Sequence, residues 1–474
     1  MYDGLVSVDP DFNVVPRLAK SWDISKDGLT YTFHMRHDAR WSDGRPITAD
    51  DQVFEYQLTR NPATAAPSKV DYDSVLSVSA PEKYTVVYRL NAPNAGFLAG
   101  VVGALVHAPL PRHVYGGLAP GVLRASDFTR HLVVSGAYTL REWKPDDHML
   151  LQSNHAWWHR RASIDQIYIK EYKNQSAVLI ALQEGSVDTA YFVSMSMWPT
   201  VKNDSRYAPV RNPANIFDLY VINMRNPILG DLAVRRAIMY AWDRKTEDER
   251  LFHGELKPAV SPIPWALKWA FDPNTERAYA FDPQRAAAIL EHDGWKLGAD
   301  GYRHNAGRLL HFVIGEIAGD EDSVRRFEFL QANLKGVGIK VDATSLEYNV
   351  LRDRAELGNF DADDLGYGNS ADPDPMPFLS SKAIPPGGYN FGRYSDPTMD
   401  ELIELGRVAT NRAKRAAIYR ELQERFVDKL PSLIGSMPYY HNVMSRRIRG
   451  FDPTKAGSQF SAMVYDEPNW YVAQ

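Results

Sequence analysis

Two periodicities alternate along the chain. Leu29, Tyr31, Phe33 and Met35 share one face and polar residues fill the other, the two-residue alternation of a half-buried strand over 29–36. Asp27-Gly28 ahead of it predicts a hairpin turn, and Tyr84 to Leu90 predicts another alternating strand. Thr48 and Asp51 stand at capping-box spacing, which predicts a helix running to Arg60. Beyond Gly136 the two periods interleave. Strands are predicted over 164–172, 217–223 and 339–343, and helices over 176–184, 231–242, 282–294, 323–335, 397–407 and 412–429.

Asp231 and Asp282 read as helix N-caps, Pro283 as a first-turn proline, and Gly185, Gly294 and Gly336 as helix stops. The acidic run from Asp361 to Gly366 partly mimics a calcium loop. Leu365 falls where an oxygen ligand belongs, however, and Asp372 where a bidentate Glu belongs, so the run is expected to be a turn. Neither a useful repeat nor a Pro/Ser/Gly linker separates modules. The expectation is an α/β protein of two or three units joined by several chain crossings.

Composition narrows the function more than the fold. A net charge of -5 gives no electrostatic reason to expect nucleic acid. The absence of cysteine excludes thiol catalysis, disulfides and thiolate metal sites, and it fits an oxidising compartment. Met1 to Gly4 lacks the basic and apolar regions of a signal peptide, and the most apolar window, 95–106, falls short of a membrane span. The 11 Trp, 25 Tyr and 19 Phe supply both core and possible ligand-facing walls. Neither a dinucleotide fingerprint, a P-loop, a nucleophile elbow nor an H-E-x-x-H helix occurs. His155 and His159 have metal-compatible spacing but lie in a loop pattern. No metal, no cofactor and no enzymatic activity are expected.

Several ordered blocks resemble one family. They are Tyr2 to Val6, Pro16 to Trp22, Asp27 to Arg36 and Trp41 to Asp51, followed by Ser135 to Tyr138 with Trp143, Asp231 to Arg244, Phe281 to Gly294 and Tyr394 to Asp400. Together they resemble the family-five bacterial extracellular solute-binding proteins, which include the oligopeptide, dipeptide, nickel and opine-binding components of ABC importers. The resemblance implies a periplasmic-binding-protein type II-like fold with two lobes, a hinge and an extra domain in the first lobe. It implies a core of lobe 1 from 1–4, 134–223 and 437–474, an extra domain from 5–133, and lobe 2 from 224–436. A leader and first strand are expected ahead of Tyr2 in this pattern. Periplasmic export, or lipid anchoring outside a Gram-positive cell, is therefore implied by the family and not by the first residues. Permease subunits are the implied partners, and the protein is expected to be a monomer. Trp41 to Gly44 is read as a structural turn of the extra domain.

The implied ligand wall is the segment Gly366 to Pro375, with Tyr367, Asn369 and Asp372. Peptide binders of the family carry an aspartate at the position aligned with Asn369, where it meets the ligand's α-ammonium. Asn offers only a neutral carbonyl, which favours a sugar, an opine-like conjugate or an N-blocked ligand, unless Asp372 supplies the charge. Tyr191 and Phe192, Tyr440 and His441, and Asn390 and Arg393 are the further candidates, Arg393 as a bidentate clamp for a carboxylate or phosphate. Two rival readings stand beside the importer: a hydrolase using cleft carboxylates, and a peptide-sequestering chaperone or chemoreceptor partner on the same fold.

Overall fold

The structure, a computed structural model, describes residues 1–10, 12–64, 66–103, 105–119, 132–159, 161–368, 371–386, 388–451 and 470–472. The first hundred residues build a four-stranded antiparallel sheet ordered Ala19–Ile24, Thr30–Met35, Thr85–Leu90, Val75–Glu82. Tyr31, Phe33 and Met35 point into the core, as the alternation predicts. Gly28 takes the positive φ of 69° that the hairpin needs. The helix Ala49–Arg60 begins at the predicted box, where the Asp51 carboxylate accepts the Thr48 amide at 2.8 Å. The same carboxylate accepts the Trp41 indole N–H at 3.3 Å. Trp41 is fully buried and Gly44 closes its turn at φ 86°, so this conspicuous motif is a structural anchor.

An eight-stranded mixed sheet organises most of the remainder. Its main path runs Thr189–Ala190, Ser432–Ser445, Ile216–Ile222, Ala362–Gly368, His311–Ile317, Lys340–Leu346. The long strand Ser432–Ser445 stitches it together. Its first part pairs with Ile216–Ile222 and Leu256–Pro258, and its last part with Tyr207–Pro213 and Thr189–Ala190. The larger hydrophobic core draws on residues from Phe217 to Met437, with Trp295, Phe312 and Phe426 fully buried. A second core spans Leu5 to Val102, and a small third one links Leu182, Trp198, Tyr207 and Val443.

The helices Leu232–Ala241, Pro283–His292, Pro397–Val408 and Arg412–Lys429 fall where the pattern places them, and Asp231 and Asp282 cap the first two. Two local expectations are corrected. Gly336 is the last residue of helix Glu321–Gly336, and the left-handed turn falls at Gly338, φ 83°. The acidic run after Asp361 is no turn but the strand Ala362–Gly368, with Ala362, Asp363, Asp364 and Leu365 all buried. Arg354 pairs with Asp363, and the Ser323 hydroxyl donates to Asp364 at 2.6 Å. Both partners come from neighbouring helices, so local sequence could not reveal that a core strand would tolerate two aspartates.

Candidate functional site

The carboxyl end of strand Ala362–Gly368 opens on two cavities that share Gly366. One, of about 420 Å³, is aromatic and lined by Tyr348, Tyr367, Phe378, Tyr389 and Phe391, with Arg352 at its edge. Tyr367 packs on Phe378 at 4.0 Å between ring centroids and stacks on Phe217 at 5.9 Å. The other cavity, of about 560 Å³, has walls from distant parts of the chain. Phe192 to Met195 and Pro438 to His441 form one wall, and Asp218, Ile317 to Ser323 and Asp364 form the other.

Phe192 takes the left-handed φ of 56° and presents a 44% exposed side chain, stacked edge-on against Tyr440 at 5.2 Å. Its amide donates to Asn442 Oδ1 at 3.0 Å, which fixes that turn. Tyr191, one residue earlier, lines instead a small crevice with Val210, Val443 and Trp470. His441 borders the larger cavity but is itself buried, with Nε2 2.8 Å from Glu255 Oε2. Burial alone would raise the Glu255 carboxyl, yet hydrogen bonds from His441 and Arg211 hold it below its ordinary value.

Three sequence candidates are committed elsewhere. Both oxygens of Asp372 are taken by the Arg415 guanidinium, at 2.5 and 2.6 Å. The structure thus gives Asp372 a buried intramolecular cation in place of a ligand's. Asn390 borders the aromatic cavity, but its Nδ2 donates to the Ser380 and Tyr394 carbonyls at 2.9 and 2.8 Å. Arg393 donates to the Ala355 and Glu356 carbonyls at 3.1 and 2.6 Å, satisfying the end of helix Tyr348–Leu357. Its guanidinium thereby serves the backbone of that helix end. Asn369 lies outside the described residues.

The two walls meet directly. Met195 N–H donates to Asp322 Oδ2 at 2.9 Å. Away from the cavity, Ala95 N–H donates to the Arg407 carbonyl at 2.7 Å. A Cβ at Gly96 would stand 2.7 Å from the Asp372 carboxyl, so only glycine fits this contact.

The chain has close counterparts in sequence and fold. The family model for bacterial extracellular solute-binding proteins, family 5, matches residues 13–390. The chain belongs to that family. A putative ABC transporter peptide-binding protein of Brucella ovis is 26% identical over 97% of this chain and 86% of its own length. The crystal structure of NikZ from Campylobacter jejuni in complex with Ni(L-His) superposes with a TM-score of 0.88 at 25% identity, over 99% of this chain and 93% of that one. The oligopeptide-binding protein AppA of Bacillus subtilis, in complex with a nonapeptide, gives 0.89 at 23% identity over 100% and 93%. These likenesses establish the type II periplasmic-binding-protein fold and make the chain an extracellular solute-binding protein by family.

Among the described residues, no three His, Asp or Glu side chains are grouped to hold a metal ion, and no helix is long and apolar enough to cross a membrane. The acidic wall was missed in the sequence. Asp218, Asp320 and Asp322 were not singled out there, and Asp364 only as part of an acidic run. Burial pushes Asp364 up to about 6, against the pull of Arg326, and Glu316 behind it up to about 8, with Asp364 adding repulsion. Only the fold shows that these carboxylates share one guanidinium, Arg326, whose Nη2 lies 2.8 Å from Asp218.

Proposed function

We propose that this chain is the solute-capturing subunit of a bacterial ABC importer. It takes a small peptide or polar conjugate between two lobes and delivers it to permease subunits, without chemistry. The observation that carries this reading is the cavity walled by Phe192–Met195 on one side and Asp218 and Ile317–Ser323 on the other. A pocket built from two parts of the chain that touch across it favours closure around a guest, because both walls contact the solute only when shut. The likeness to a putative peptide-binding protein of Brucella and an oligopeptide-binding protein of Bacillus favours peptide.

The working division follows the sequence reading: lobe 1 from 1–4, 134–223 and 437–474, the extra domain from 5–133, and lobe 2 from 224–436. The pairing of Ile216–Ile222 with Ala362–Gly368 favours moving the first crossing back to 213–216, where the chain leaves Tyr207–Pro213. The other crossing then falls near Pro438, inside the long strand. We assign the protein to the periplasm, or to the outer face of a Gram-positive membrane through a lipid anchor, acting as a monomer. Asn369 stays a ligand-facing candidate on this reading, with Tyr367, Phe192 and Tyr440.

Calorimetric titration with trialanine tests the reading. Binding without turnover is expected. Asn369→Asp is expected to tighten it by about tenfold, because a carboxylate replaces a neutral acceptor for the α-ammonium. Hydrolysis of the peptide would contradict the importer reading, and an unchanged affinity in the variant would contradict the placement of Asn369.

A further inference from the structure

Alternation divides strand Ala362–Gly368 between two spaces. Leu365 and Tyr367, opposite Leu219 and Phe217 in the sheet, border the aromatic cavity. Asp364, opposite Tyr220, takes the other face and borders the acidic one. The aromatic cavity thus lies across the sheet from the acidic wall, and the two share Gly366 at the strand end.

The polar groups of the aromatic cavity have nothing to bond. Among the described residues, the half-buried Arg352 guanidinium has neither a hydrogen bond nor a carboxylate within ion-pair reach. The Tyr367 and Tyr389 hydroxyls have no hydrogen-bond partner either, and neither is sealed off from accessible space. Burial raises both phenols above their ordinary range, so they stay neutral donors. Nearby acids are committed elsewhere. Asp71, close to both phenols, lies 3.0 Å from His107 Nε2, and Asp374 lies 3.1 Å from Arg407 Nε. Glu356, one helical turn beyond Arg352, is exposed to solvent.

Aromatic walls alone would suit a cation, but an unpaired guanidinium at the rim repels one. Three uncommitted donors call instead for a guest that brings acceptor oxygens. We infer that this cavity binds a flat ring carrying a carboxylate a few bonds away, as at the end of a peptide closed by phenylalanine. The ring packs among Tyr367, Phe378 and Tyr389, and the carboxylate takes Arg352 as a two-pronged donor. A space of about 420 Å³ admits such a group. The inference rests on the solute-binding reading and names the class of solute.

The test is calorimetry with Ala-Ala-Phe, its carboxyl-terminal amide, trialanine and 3-phenylpropanoate. Ala-Ala-Phe is expected to bind at least about tenfold more tightly than trialanine, which lacks the ring, and than the amide, which lacks the anion. Arg352→Met is expected to bring the acid and the amide to equal affinity, and Tyr389→Ala to shrink the preference for phenylalanine over alanine. Unchanged melting temperatures show that both variants fold, as the lack of a partner for either polar group leads one to expect. If 3-phenylpropanoate binds and loses affinity in Arg352→Met while no peptide binds, the ring-and-carboxylate site stands and the peptide reading falls. If the three peptides bind equally, the peptide reading stands and this proposal falls. An acid-over-amide preference untouched by Arg352→Met, or no binding of any aromatic probe, also overturns it.

Discussion

Replacing Arg415 by Met is expected to destabilise the protein by about 3–5 kcal/mol, read as a lower denaturant midpoint at pH 7. Arg415 and Asp372 are both nearly fully buried and form a bidentate pair, with the Tyr419 hydroxyl accepting a further N–H of Arg415 at 2.8 Å. Without the guanidinium, the buried Asp372 carboxylate would keep the Asp374 amide, at 3.1 Å, but lose its cation. Asp374, already pushed up to about 6 by burial, would lose a nearby cation as well. The double change Asp372→Asn, Arg415→Met should recover much of the loss, because it removes the stranded charge. A single variant as stable as the parent would contradict the account of this pair. Asp372 also lies against Gly96, next to the Ala95–Arg407 hydrogen bond, so loss of the pair is expected to loosen the contact between the first hundred residues and the second half of the chain.

Glu316→Gln is expected to stabilise the protein at pH 8 by on the order of 2–4 kcal/mol, with little effect at pH 5. Burial, followed by repulsion from Asp364, raises this carboxyl from an ordinary 4.5 to about 8, while the Ser323 hydrogen bond and Arg326 pull the other way. Between those two values the folded protein holds a proton that the unfolded chain has released. Stability therefore falls as pH rises through that window and levels off above it. Gln carries no such proton and should flatten this part of the profile. The groups facing Glu316 are Asp364, Ser323, Arg326 and Asp320, and the first of these also titrates high, near 6. Thermal melts from pH 5 to pH 8 check the prediction, and parallel profiles for parent and variant would contradict it.

Local pattern made much of the fold readable. The strand Thr30–Met35, the capping box at Thr48, and the Asp-capped helices at Leu232 and Pro283 are each fixed by residues within a few positions of one another. The acidic strand Ala362–Gly368 was not readable, because what makes it tolerable arrives from Arg354 and from the helix carrying Ser323 and Arg326. The site divides along the same line. Tyr367, Phe192, Tyr440 and His441 do border the cavities. Arg393 and Asp372 were plausible ligand groups only until their intramolecular partners, carbonyls of a helix end and Arg415, came into view. The acidic wall escaped notice for the opposite reason. Asp218, Asp322 and Asp364 are far apart in sequence, and ordinary as single residues.

The central claim is that two halves of the molecule close around a solute. Small-angle scattering tests it most directly, on protein purified with its native solute and on the same protein stripped by unfolding and refolded. A closed chain of this length should have a radius of gyration of about 23 Å. The stripped protein is expected to be measurably larger and to contract again when the recovered solute is returned. Superimposable curves with and without bound solute would contradict closure.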